Sequence, residues 1–462
     1  MKPHRTHILH VGVGAFHRSH QALVWDQLRR FDPVRYADWG ITGVCLMPSD
    51  RALVQQLRKQ NMHYTLREFS AQGTSHTRQI QSIDQVLLGP DDREAILSGI
   101  SDRHTRVISL TITEGGYEIG RSLEHILKGE APQTVFHYLA LGLDQRRRDG
   151  QRGLILMSCD NIQENGAVLK AALDPCLAAI DPALPGWVEE SVYFPNSMVD
   201  RITPATRTAD VDALEQETGH RDEALVVSED YFQWVLEDQV RALLPPIANF
   251  GVTFVPDVRP YEQLKLSVLN AGHSLVGFLG EAMGYRSIHE SLTDPLIAAA
   301  FDQYALQEAI PVLSPLNGVD YAAYYQRVKS RFANPMLQDS TARIMAGSSD
   351  KIPKFLLPIL RAQLALPSPQ IDMATLVVAL WWQYLDGIAQ RAAWEELMDT
   401  RRDALRVLFE DSSSSAERLI NYEPIFGELS GSDRFVSRYY KLIQDLQSLG
   451  VPQVLDPYFL KH

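Results

Sequence analysis

Residues 7–17 read HILHVGVGAFH: a short β-rich run from His7 to Val13 enters a turn that carries Gly12 and Gly14. Helical periodicity follows from Gln21 to Arg30. Strand, glycine turn and helix, in that order, let a backbone approach a pyrophosphate. The first glycine permits the tight turn, the second the close approach, and the helix start offers free N–H groups to an anion. The place of a third glycine is taken by His17, so on its own the motif fits a plain glycine-rich βα turn equally well. Gly12, Gly14, Phe16 and His17 are the candidate contacts to a dinucleotide.

Working outward, Trp39 to Leu46 reads as a buried strand and Arg51 to Gln60 as a helix. Arg106 to Thr113 (RVISLTIT) is a strong strand, Thr134 to Arg147 a helix, and Gly153 to Met157 a further strand. Strands alternating with helices predict βαβ units and a mostly parallel sheet. Asp50 lies just past the second strand, where a carboxylate would bind the ribose hydroxyls of NAD and repel the 2′-phosphate of NADP. Its neighbour Arg51 could partner that phosphate, so NAD is expected and NADP is not excluded. Four prolines (Pro245, Pro246, Pro256, Pro260) mark a change of texture, and from Tyr261 onward nearly everything follows a helical period. The expected architecture is an α/β dinucleotide-binding domain over 1–258 followed by a mostly α-helical domain over 259–462.

The 462 residues carry 44 Lys and Arg against 57 Asp and Glu, a net charge of −13. Such a surface repels a phosphate backbone, which excludes nucleic acid and anionic membrane as expected partners. Cys45, Cys159 and Cys176 form no CxxC pair, which fits a reducing compartment and gives no zinc cluster. His17 and His20 form an HxxH pair without companion ligands, so no metal is expected. The apolar stretch near the N-terminus is broken by His10, Gly12 and Gly14, and the run Met373 to Trp382 is too short to span a bilayer. The reading is a cytoplasmic, soluble chain. Ser412 to Ser415 is expected to form a loop and a helix cap.

The segment PYEQLKLSVLNAGHS (260–274) holds the most chemistry. At about 100° per residue, Glu262, Lys265, Asn270 and His273 fall within a sector of roughly 140°, together with Leu266 and Leu269. Polar groups on a leucine-bearing face are expected to be buried and paired. Burial disfavours the charged form of Lys265, and a neutral lysine can take a hydroxyl proton as an alcohol becomes a ketone. Asn270 could donate to the developing alkoxide, His273 could position a hydroxyl, and Glu262 could pass protons onward. An amphipathic helix with a satisfied core histidine and a snorkelling lysine fits the same pattern.

Six segments, in order, carry a family resemblance: GVGAFHRSHQ (12–21), TITEGGY (111–117), MSCDNIQENG (157–166), FPNSMVDRITP (194–204), FQWVLED (232–238) and KLSVLNAGHS (265–274). Together they resemble the long-chain polyol dehydrogenases, the mannitol 2-dehydrogenase and fructuronate reductase family, over nearly the whole chain. The resemblance implies a Rossmann-type N-terminal domain, a helical C-terminal domain and a metal-independent active site between them. It makes Lys265 the general acid/base, Asn161 and Asn270 the oxyanion-hole amides, His273 the substrate-orienting histidine and Glu262 the carboxylate near the lysine. Thr113 and Glu114 join the cofactor contacts, and Asp200 matches a buried acidic position of the site. In RIMAGSSDKIP (343–353), Arg343 and Lys351 become candidate contacts to substrate hydroxyls. The implied activity is NAD-dependent hydride transfer between a linear polyol and its ketose, of the mannitol/fructose type. The alternatives are fructuronate or tagaturonate reduction, or D-arabinitol oxidation; an arginine at 343 is more similar to the polyol members. Two positions depart from the family pattern. Only Asp50 remains of an acidic pair after the second strand, and Asp350 stands beside Lys351 where the family has an acidic residue before its Gly-Ser. A monomer is compatible with the resemblance.

Overall fold

The computed structural model describes residues 6–89, 91–410 and 414–459; Ser412 and Ser413 of the serine patch and the side chains of Glu114, Tyr458 and Phe459 lie outside it. The chain forms two compact units, Met1–Ser70 with Thr74–Arg259, and Ala71–Gly73 with Pro260–His462.

The first unit carries strands β1 (Ile8–Val11), β2 (Ile41–Cys45), β3 (Tyr64–Phe69), β4 (Ser75–Ile80), β5 (Ile83–Leu88), β6 (Val107–Leu110) and β7 (Leu154–Ser158). It continues with β8 (Val192–Tyr193), β9 (Ser197–Asp200), β10 (Val226–Glu229), β11 (Gln233–Glu237) and β12 (Val252–Val255). Six of them form one sheet in the order β5-β2-β1-β6-β7-β8, every pairing parallel. Its central strands are apolar on both faces, the signature of a sheet covered on both sides. Successive residues alternate between two cores. Ile8, Ile41, Val107 and Ile155 join Trp25, Leu28 and Trp234 on one face. Leu9, Val44, Ile108 and Leu156 join Phe136, Leu139 and Leu173 on the other. The helix Val135–Arg148 ends on three arginines, which suits the negative end of its dipole; Arg147 and Arg148 also pair with Asp144. Two three-stranded sheets, β10-β3-β4 and β12-β11-β9, complete the unit. The described residues of the second unit are helical, with one isolated bridge between Ser287 and Ser340. No helix among the described residues is long and apolar enough to cross a membrane.

Beneath the glycine turn two histidines are sealed in the first unit. His10, on β1, contacts Ser109 Oγ through Nδ1 at 2.8 Å and Thr111 Oγ1 through Nε2 at 3.0 Å. His17 stacks on it with ring centroids 3.4 Å apart. Burial pushes His10 down to about 3 and His17 well below its ordinary value. Both pKa values are depressed on folding, so the stability they support is complete above about pH 6.5, where the unfolded imidazoles are also neutral. As pH falls below that point the unfolded chain takes up protons that the folded one refuses. Each site then contributes a slope of ~1.4 kcal/mol per pH unit. The urea midpoint of the first unit is expected to fall steeply from pH 6.5 to 5, and His17→Phe to flatten that slope. A midpoint independent of pH over this range would contradict the buried neutral pair.

Candidate active site

The main sheet changes direction at its centre. The chain builds outward from β1 to β2 and β5 on one side, then from β6 to β7 and β8 on the other. In open parallel sheets ligands bind outside the carboxyl ends of the strands at this switch point. Here β1 runs into Gly12–Gly14 and β6 into Thr111–Thr113. The two glycines serve different ends. Gly12 has φ +99°, and a Cβ there would sit 2.0 Å from the carbonyl oxygen of Thr111, so the sheet itself requires glycine. Gly14 is extended (φ −75°, ψ 178°), and a Cβ there would meet nothing within 4 Å. The space it leaves open lies where a pyrophosphate would approach the turn, so these residues fit a dinucleotide.

Thr113, opposite the glycine turn, has φ +62°, a left-handed conformation that a β-branched residue rarely adopts. Asp160 holds it there: Oδ1 accepts the Thr113 N–H at 2.8 Å, and Oδ2 accepts the Ile112 N–H at 3.3 Å and the Tyr117 hydroxyl at 2.9 Å. Backbone strain persists where its surroundings over-determine it, typically beside a ligand. Sequence reasoning missed Asp160, although it directly precedes Asn161. The Glu114 side chain lies outside the described residues. Phe16 stacks on His20 with centroids 5.0 Å apart at the edge of the core. Asp50 closes the turn after β2 by accepting the Met47 N–H at 3.2 Å. Arg51 is already engaged, donating to both oxygens of Asp91 at 2.6 and 3.1 Å.

For His17, either packing or a phosphate contact is expected; its side chain is fully buried against His10, because the short helix Ala15–Ser19 turns that position into the core, which leaves it no side-chain contact to a dinucleotide. His20 points away too, placing Nε2 2.9 Å from the Gln233 carbonyl. Among the described residues no group of three or more His, Cys, Asp or Glu side chains is placed to hold a metal ion.

Asn161 is exposed beyond the end of β7, whereas Asp200 is buried at the end of β9, paired in register with Gln233. The adjacent Arg201 has a different task. Its buried guanidinium pairs with Glu68 and donates to the carbonyls of Ser19 (2.6 Å) and Glu229 (2.7 Å), tying the first helix to β3 and β10.

In the second unit, the lysine segment departs from a uniform α-helix. An α-helical stretch Arg259–Leu264 gives way to a π-helical turn at Lys265–Asn270, and α-helix resumes over Ala271–Ala282. The wider turn closes i→i+5 bonds, as between Ala271 N–H and Leu266 O. The 140° sector calculated for a uniform α-helix therefore does not apply. Residues five apart fall on the same side of a π turn, as residues four apart do in an α-helix, so Lys265 and Asn270 share a face more closely than the α period allows. Glu262, Lys265 and His273 are buried, at 5%, 6% and 8% exposure.

The His273 ring lies flat on Phe332, with centroids 3.7 Å apart and planes 8° from parallel. Burial first, and then the charges of Arg343, Arg331 and Lys351, hold its pKa well below the ordinary value, so the ring is neutral. Nε2 of His273 and Oδ1 of Asn270 are buried atoms with no hydrogen-bond partner among the described residues. Arg343 is clasped by Asp339, which accepts from Nε and Nη2 at 2.5 Å each, yet its side chain stays 47% exposed. Lys351 donates to the Ile344 carbonyl at 2.8 Å. The acidic partner of this basic pair is thus Asp339, while Asp350 turns to Arg401 and Thr400. Asp339 reaches Arg343 from four residues earlier in the chain, whereas Phe332 is brought to His273 only by the fold.

Fold and site together define a Rossmann-type dehydrogenase. The mannitol dehydrogenase Rossmann domain family matches residues 6–249, and the mannitol dehydrogenase C-terminal domain family matches 257–447. The mannitol 2-dehydrogenase of Aspergillus fumigatus is 35% identical over 469 residues, covering 98% of this chain and 92% of that protein. That of Pyricularia oryzae is 34% identical over 463 residues, covering 96% and 91%. Among solved structures, Pseudomonas fluorescens mannitol 2-dehydrogenase in ternary complex with NAD and D-mannitol superposes with a TM-score of 0.90 at 36% identity, covering 100% of this chain and 95% of that one. A D-sorbitol dehydrogenase in substrate-free form follows at TM-score 0.83 and 30% identity, covering 98% and 95%. The chain belongs to the mannitol dehydrogenase family.

Proposed function

We propose that this chain is an NAD-dependent polyol dehydrogenase interconverting a linear polyol and its ketose, of the mannitol/fructose type. Residues 1–258 would bind the dinucleotide and 259–462 the sugar. The observation that carries this reading is the pair of buried polar atoms, Asn270 Oδ1 and His273 Nε2, on the helix of a buried lysine. A buried polar atom needs a hydrogen-bond partner, and these two suit the hydroxyls of a polyhydroxylated ligand.

When bound, the nicotinamide supplies the hydride acceptor for oxidation and the donor for reduction. Gly12, Gly14, Phe16 and Thr113 would frame the pyrophosphate, and Asp50 would meet the ribose. Lys265 Nζ takes the proton of the reacting hydroxyl in oxidation and returns it in reduction. The amides of Asn161 and Asn270 donate to that oxygen as charge develops on it. Glu262, one helical turn before the lysine, relays the proton. His273, held flat and neutral, orients a neighbouring hydroxyl, and Asp200, Arg343 and Lys351 contact others. Asp339 compensates the charge of Arg343, which favours a neutral sugar over a uronate carboxylate. NADH oxidation with fructose, fructuronate, tagaturonate and xylulose tests the assignment. Fructose is expected to support the fastest rate, and a faster rate with fructuronate or tagaturonate would shift the reading to a uronate reductase.

Cofactor choice follows from the turn after β2. Asp50 is expected to repel a 2′-phosphate, and Arg51 is held by Asp91. Asp50→Ser is therefore expected to shift the NADH/NADPH ratio of kcat/KM toward NADPH by about tenfold, or ~1.4 kcal/mol. An unchanged ratio would remove Asp50 from the ribose site.

A further inference from the structure

Among the described residues, three helices of the second unit contain a π turn: Lys265–Asn270, Tyr304–Ala309 and Ile352–Leu356. The first packs against both of the others. A helix that returns from five-residue to four-residue bonding passes over one carbonyl. Ala271 N–H takes the carbonyl of Leu266. When the next N–H, that of Gly272, resumes the four-residue pattern it takes Val268, and the carbonyl left over is that of Ser267. Ser267 is buried, and a buried backbone carbonyl needs a partner. It has one: the hydroxyl of Tyr304, fully buried, donates to it at 2.8 Å.

Two more contacts fix the tyrosine. Phe301, three residues earlier on the same helix, packs so tightly on Gly272 that a Cβ there would lie 2.4 Å from its ring. Glu308, four residues later, accepts the N–H groups of Met373 and Ala374 at 2.6 and 2.8 Å, anchoring the segment to the start of helix Asp372–Gln390.

We propose that Tyr304 is a positioning residue for catalysis: its hydroxyl stabilises the π turn that brings Lys265 and Asn270 onto one face. This inference rests on the roles assigned above to those two residues. Without the phenol, the Ser267 carbonyl loses its partner and the turn can move along the helix, which rotates Asn270 away from Lys265. Tyr304 touches no substrate and acts only through the backbone of the residues that do.

The test is a double-mutant cycle on the full chain with fructose and NADH. Tyr304→Phe removes one oxygen and creates no overlap; its Tm is recorded to confirm folding. Its kcat is expected to fall at least twentyfold while KM for NADH stays within twofold. In an Asn270→Ala background the same substitution is expected to cost less than threefold, since the amide it positions is gone. Amide hydrogens 268–272 are expected to exchange faster in Tyr304→Phe than in the wild type. Glu308→Gln is the control for general loosening of the segment: Tm falls and kcat stays within twofold. A Tyr304→Phe kcat within threefold of wild type, or a full loss repeated in the Asn270→Ala background, overturns the positioning role. An Asn270→Ala enzyme of normal activity overturns the functional reading as well, which separates the two failures.

Discussion

Replacing Lys265 by alanine is expected to lower kcat by two to four orders of magnitude in both directions, the range a positioned general acid/base contributes. Lys265 lies in the π turn, 6% exposed, and shares its face with Asn270. A lysine placed there for packing would be replaceable by methionine, which has similar length and no amine. Lys265→Met is expected to be nearly as inactive as Lys265→Ala, with a Tm close to wild type. KM for NADH should change little, because the residues assigned to the dinucleotide belong to the first unit. Small primary amines added to Lys265→Ala are expected to restore part of the rate. A Lys265→Met enzyme within tenfold of wild-type kcat would leave the lysine with a structural role only.

The second large effect separates the two glycines of the turn. Gly12→Ala places a methyl 2.0 Å from the Thr111 carbonyl at a φ of +99°. Neither neighbour can yield cheaply: Gly12 N–H bonds to Val44 O on β2, and Thr111 N–H bonds to Val11 O on β1. Strain and overlap at one site are expected to cost roughly 3 kcal/mol or more, with loss of NADH binding. Gly14→Ala differs in kind. Its backbone already suits an L-residue and its Cβ would meet nothing within 4 Å, so stability is expected to hold or rise by about 0.4–1 kcal/mol. KM for NADH is nonetheless expected to rise at least tenfold, because the methyl fills the space left for the pyrophosphate. Thermal melts and NADH titrations of both variants check this. Equal loss of stability in the two, or normal NADH affinity in Gly14→Ala, would contradict the assignment of the turn.

Much of the parallel sheet was legible because its strands are continuous apolar runs between helices of 3.6 periodicity. The strands β1, β2 and β6 fall inside the segments read from composition, and β7 (Leu154–Ser158) runs past the segment Gly153 to Met157 to include Ser158. The small sheets were not legible. β4 (SHTRQI) is a polar edge strand without apolar alternation, so only its pairing with β3 makes it a strand. The π turn was invisible for a deeper reason: an angular reading assumes the period it seeks, and no residue type announces an i→i+5 bond. His17 was misplaced because a histidine after a glycine turn resembles an anion ligand. What decides its direction is the register of a five-residue helix packed on β1. The polar residues of 260–274 were legible as a group; the partners that orient this segment, Phe332 on His273 and Tyr304 on the Ser267 carbonyl, lie dozens of residues away and meet it only in the fold.

The central claim is that this chain moves a hydride between a nicotinamide dinucleotide and the carbonyl carbon of a ketose. Incubating the purified protein with fructose and NADH carrying deuterium at both C4 positions of the nicotinamide, then analysing the product by mass spectrometry and NMR, tests it most directly. The expected product is mannitol carrying a single deuterium on the carbon that was the ketone, formed in step with NADH consumption. Fructose left unreduced, or mannitol formed without deuterium at that carbon, would contradict the account.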